Sequence, residues 1–101
     1  MVSSMDELQE QVRRQLYRFQ DLAEQMAAVR GRETSEDGAV TAEVDGNGAL
    51  EDLQFSSAVS RMTPAEFEKV VVATAAQAAR RAFERRAEIV NRFNDEMAEQ
   101  A

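Results

Sequence analysis

The 101-residue sequence has no cysteine, no histidine and no tryptophan, and only one proline, four glycines and one tyrosine. Without cysteine there are no disulfides or thiolates. Without histidine the usual zinc sites are gone, as is the one side chain that ordinarily titrates near neutral pH. No glycine-rich phosphate loop, nucleophile with a base or metal-ligand cluster stands in for them, so neither an enzyme nor a cofactor is expected. No stretch approaches the roughly 18 apolar residues of a membrane span. The first residues, Met1 to Glu7, lack a basic segment followed by an apolar one, and a cytoplasmic protein with no membrane partner is expected. With 44% apolar and 31% charged residues, disorder along the whole chain is excluded. The length predicts one domain spanning residues 1–101.

Acidic residues outnumber basic ones for a net charge of −7, and where that charge sits matters more than its total. Residues 1–32 carry five arginines and five carboxylates, residues 61–101 seven cations and seven carboxylates, and residues 33–60 seven carboxylates with no cation. The whole excess therefore lies in the middle third. Eleven arginines to one lysine, with seventeen alanines, first suggest a GC-rich genome and only then a need for bidentate contacts.

Periodicity divides the chain at the same places. Met5, Leu8, Val12, Leu16, Phe19, Leu22, Met26 and Val29 recur at intervals of three and four, predicting an amphipathic helix over 4–30. Ser4 and Glu7 read as a capping box at its start, and Gly31 as a left-handed stop. Asp37-Gly38 and Asp45-Gly46-Asn47-Gly48 then bracket the alternating Val40, Ala42 and Val44, which predicts antiparallel strands within 32–55. Leu50 is out of phase with Leu53 and Phe55, so a bulge near Glu51-Asp52 is expected, and Arg32 to Ser35 is a candidate third, edge strand. Thr63-Pro64-Ala65-Glu66 caps a second helix over 64–98, in which six of the ten residues 73–82 are alanine. Such small residues let a helix lie close to a sheet or to another helix. The predicted fold is α+β: a long helix, two or three antiparallel strands, and a long helix, with the helices flanking a small sheet and protruding from it.

Helices of about 27 and 34 residues run roughly 40 and 50 Å, whereas six-residue strands cover about 20 Å. The apolar stripes continue into the overhang, so either the helices pair antiparallel or a second copy covers them. A homodimer is expected, with Leu16, Phe19, Phe83, Val90 and Phe93 at its interface.

The run from Asp37 to Phe55, above all Asp45-Gly-Asn-Gly48 between two short strands, resembles the YbaB/EbfC family of small bacterial nucleoid-associated proteins. The long helix before it and the proline-capped, alanine-rich helix after it extend the resemblance over nearly the whole chain. It implies a homodimer with a central sheet and protruding helices, binding DNA with little sequence preference. The chain departs from its relatives in having only Gly38 where their first strand connection is often glycine-rich, and in its strong negative charge.

Residues 80–92 hold five arginines and two glutamates, the one markedly basic window. On a helical wheel Arg81, Arg85 and Arg92 lie within about 40° of one another, and Arg14 and Arg18 are one turn apart on the first helix. These five are the candidate phosphate contacts, with the acidic strands turned away. Against this, Glu10–Arg14, Arg80–Glu84 and Glu88–Arg92 have the spacing of the ion pairs that ordinarily decorate a solvated helix. An alternative reading is an acidic protein-interaction module on the same fold, for example a secretion-system accessory. Tyr17 to Asp21 has the Tyr-x-x-x-Asp/Glu spacing of type VII secretion substrates. With so many acids one tyrosine matches by chance about one time in five, and the companion tryptophan is absent.

Overall fold

Ser4 opens the first element by accepting the Glu7 amide on its Oγ, 3.2 Å away. In a computed structural model, which describes residues 4–99, helix α1 runs over Met5–Ala27 and strand β1 over Arg30–Thr34. Strand β2 follows over Val40–Asp45, β3 over Leu50–Phe55, a 3-10 turn over Ser57–Arg61, and helix α2 over Pro64–Glu99. The extreme ends of the expected 1–101 domain lie outside the described residues. The fold is α+β, with two long helices and a three-stranded antiparallel sheet in the order β1-β2-β3. No helix among the described residues is long and apolar enough to cross a membrane.

Four boundaries differ from the sequence reading, the first being the start of α1 at Met5 rather than at residue 4. Helix α1 ends at Ala27 rather than at residue 30, and Gly31 is no helix stop but the second residue of β1. At the helix end the Ala28 amide bonds back to the Glu24 carbonyl at 3.1 Å and the Val29 amide to that of Met26 at 3.3 Å, and Arg30 adds bonds from Nη1 to the oxygens of Ala27 at 3.1 Å and Val29 at 2.8 Å. The edge strand expected from Arg32 is present but begins two residues earlier. Helix α2 ends one residue beyond the expected 98.

The turns form as their residues dictate. Gly38 and Gly48 have φ of 71° and 82°, which a side chain would resist. Asp45 accepts the amides of Asn47 and Ala49 on one carboxylate oxygen, each at 2.9 Å, locking the second turn. In the first turn the Ser35 hydroxyl, then the Ala39 amide, hold the Asp37 carboxyl below its ordinary pKa. Register passes from Glu43 opposite Asp52 to Val44 opposite Leu50, so Glu51 is the extra residue of the expected bulge. Leu50 is thereby returned to the face of Leu53 and Phe55. At α2 the Thr63 hydroxyl accepts the Glu66 amide and the Glu66 carboxylate accepts the Thr63 amide, a complete capping box before Pro64.

The alanine-rich part of α2 lies on β1 and β2. Ala78, Ala82 and Ile89 pack with Val29, Ala42 and Val44 into a thin core, which Leu22 and Met26 of α1 and Leu53 of β3 adjoin. A Cβ placed on Gly31 would stand 1.9 Å from the Ala78 carbonyl oxygen, so helix and strand approach as closely as backbone allows. Beyond the sheet, α1 and α2 pair antiparallel, with the Phe19 and Phe93 rings 5.2 Å apart. The molecule extends over 72 × 19 × 16 Å, and its 20.6 Å radius of gyration far exceeds the about 13 Å of a compact chain this long.

Candidate nucleic-acid interface

Helical periodicity sets where the arginines fall. The buried side of α2 is marked by Thr74, Ala78, Ala82 and Ile89. Arg81, Arg85 and Arg92 lie within about 60° of that line, along the flank of the helix that carries the β1 edge. This flank continues onto the α1–α2 hairpin, where Arg18 and Arg92 border a shallow groove together with Asp21, Gln25 and Glu96. Arg18 is half-buried, its Nη1 3.8 Å from the Met97 sulfur, and Arg14 lies one turn earlier on α1.

The five candidate arginines are not equivalent. Among the described residues Arg14 and Arg92 carry no ion pair, and Arg18 is held only by the methionine sulfur. Arg85 is paired to Glu88 at 3.1 Å. Arg81 donates through Nε to the Glu33 carboxylate of β1, an ion pair between strand and helix. The bond to Glu33, and then its charge, raise the already high pKa of Arg81, so the guanidinium stays charged at any physiological pH.

The i,i+4 pairs that the sequence suggested are not the ones that form. Glu88 turns back to Arg85 rather than forward to Arg92, and Arg80 binds the Gln77 side chain at 3.1 Å. Nor is the acidic segment wholly turned away, since Glu33 points at α2. Two other strand carboxylates are paired within the sheet, Glu51 with Arg30 at 2.7 Å and Glu43 with Arg32 at 3.7 Å.

Arg86, which the sequence did not single out, is not free either. It donates to the Gly46 carbonyl at 2.9 Å and pins the second turn to α2. Neither that contact nor Glu33–Arg81 had a signal in the sequence, because their partners are about 40 and 48 residues apart.

The residues expected at a dimer interface fall into two groups. Phe19 and Phe93 face each other within the chain, near the level of Leu16, so the overhanging stripes partly cover one another. Phe83, half-exposed, lies instead beside Gly48 at the second turn, and Val90 lies further along α2 beside a cleft that Met26 also borders. Strand β3 leaves Leu50 and Phe55 about half-exposed, and the Phe55 ring is 5.2 Å from Phe67 of α2. Together they form an apolar surface alongside the helix.

The YbaB/EbfC DNA-binding family matches residues 1–97. No curated protein matches the chain.

Proposed function

Since the chain belongs to the YbaB/EbfC DNA-binding family, whose members are nucleoid-associated, we propose that it binds duplex DNA as a homodimer in the bacterial cytoplasm, with little sequence preference. The observation that carries this reading is that three of the candidate arginines, Arg14, Arg18 and Arg92 on the helical hairpin, hold no carboxylate among the described residues. Arg81 and Arg85 extend the same flank, each held by a carboxylate that an incoming phosphate has to displace. Guanidinium groups along two long helices suit the regular spacing of phosphates, and phosphate contacts position a protein without reading bases. An anisotropy titration on random-sequence duplex at 50 and 200 mM salt tests it. Binding that weakens steeply with salt and tolerates a changed sequence is the expected result. No binding at micromolar protein would replace this reading with that of an acidic interaction module.

The exposed area supports the homodimer. The chain exposes 7385 Å², against about 5,700 Å² for a compact monomer of its mass. That excess exceeds the roughly 800 Å² per partner that a stable interface buries. We place the second copy on the surface formed by Leu50, Leu53 and Phe55 of β3 and by Phe67, Phe83 and Val90 of α2. Phe83→Asp is therefore expected to convert a particle of twice 11.3 kDa into one of 11.3 kDa by light scattering, because an unpaired buried charge costs several kcal/mol. Phe19→Asp is expected to loosen the α1–α2 hairpin and lower the melting temperature. A Phe83→Asp protein that remains dimeric with unchanged melting would move the interface elsewhere.

A further inference from the structure

Among the described residues, the Glu33–Arg81 ion pair is the one in which the acidic strands reach across to a candidate phosphate-binding arginine. Glu33 stands opposite Ala42 in the β1–β2 ladder, and its side chain is only 26% exposed, whereas that of Arg81 is 63% exposed. The carboxylate is thus fixed by the sheet while the guanidinium stays within reach of solvent. A carboxylate placed this way offers the arginine the charge and oxygen geometry that a phosphodiester would.

We propose that Glu33 is an internal competitor for DNA phosphate at Arg81, setting the affinity of the protein below what its arginines alone would give. The inference rests on the DNA-binding reading above. Phosphate reaches Arg81 only by displacing Glu33, and the displaced carboxylate then stands close to the incoming phosphate and repels it. The Arg85–Glu88 pair lies one turn further along but joins neighbours on a single helix. Its carboxylate has free rotamers to swing away, so Glu33 is the stronger restraint.

The test is a double-mutant cycle on the full chain, read by anisotropy with a random-sequence duplex from 50 to 200 mM salt. Glu33→Gln keeps the side-chain shape and removes the charge. It is expected to tighten binding at 50 mM by roughly 2- to 30-fold, the range for releasing two exposed ion pairs per dimer. It is also expected to steepen the logarithmic salt slope by up to about two units, as one more phosphate contact forms in each protomer. In an Arg81→Ala background the same substitution is expected to lose most of this effect. Glu43→Gln removes an equal charge from the Arg32 pair and serves as the comparison for net charge alone. If Glu33→Gln melts below the assay temperature, Glu33→Ser replaces it in the cycle.

A gain that persists without Arg81, or that Glu43→Gln matches, would overturn the proposal, as would a Glu33→Gln protein that binds no more tightly than the parent. Those results leave the DNA-binding reading standing. Failure of both the parent and the Glu33→Gln protein to bind at 50 mM would remove that reading and the inference together.

Discussion

Replacing Gly31 with valine is expected to destabilise the protein by roughly 3 kcal/mol or more, a large part of the 5–15 kcal/mol that holds a typical domain together. Strand propensity alone predicts the opposite sign, because valine is favoured in strands and glycine is not. Packing decides against it. The valine Cβ would stand 1.9 Å from the Ala78 carbonyl oxygen and 2.8 Å from the Ala82 amide nitrogen, both backbone atoms that no rotamer change can move. The helix must therefore shift off β1, opening the contacts of Ala78 and Ala82 with Ala42 and Val44, which are most of the core. For a domain of this size the loss corresponds to a fall in melting temperature of about 12 °C or more, measurable by circular dichroism. Gly38→Ala provides the contrast. Its Cβ would meet nothing within 4 Å, and only its φ of 71° opposes the change, for a cost of about 1–2 kcal/mol. Equal melting of the parent and the Gly31→Val protein would mean that helix and strand are not in this contact.

The role of Gly31 was misread from sequence for a physical reason. A glycine after an amphipathic run commonly ends a helix through its backbone freedom, whereas here what matters is the absence of a side chain, a tertiary demand with no local signature. Local chemistry, by contrast, was legible. The Thr63–Glu66 box, the Asp45–Gly48 turn and the bulge at Glu51 each follow from neighbouring residues and appear where their spacing puts them. The alanine run announced close packing without saying on what, since small residues suit a sheet and a helix equally. The arginine flank was legible as a stripe but not in its electrostatics. Wheel angles show which side chains are neighbours on one helix, while Glu33 belongs to a strand 48 residues away. The apolar overhang was likewise recognised in the sequence, but the pairing of Phe19 with Phe93 required knowing that the helices run antiparallel.

Replacing Arg14, Arg18 and Arg92 together with alanine is expected to remove most of the salt dependence of DNA binding. Each phosphate neutralised on duplex DNA contributes about 0.9 to the logarithmic salt slope, so three contacts per protomer in a dimer account for roughly five units. Between 50 and 200 mM salt that slope alone is a roughly thousandfold change in affinity, which the triple variant should no longer show. The fold should tolerate the change. Arg14 and Arg92 are exposed and carry no ion pair among the described residues, and Arg18 loses only its contact with Met97. Alanine also has the higher helix propensity. A loss of affinity therefore reports on the contacts and not on unfolding, and a circular dichroism melt verifies the point. Arg30 and Arg32 supply the internal comparison, since they are held by Glu51 and Glu43 on the sheet, away from the hairpin, and their replacement should leave the slope almost unchanged. Affinity should also vary little between pH 6 and 8, because the chain has no histidine and arginine does not titrate there. A triple variant with the parent slope would move the interface off the hairpin flank.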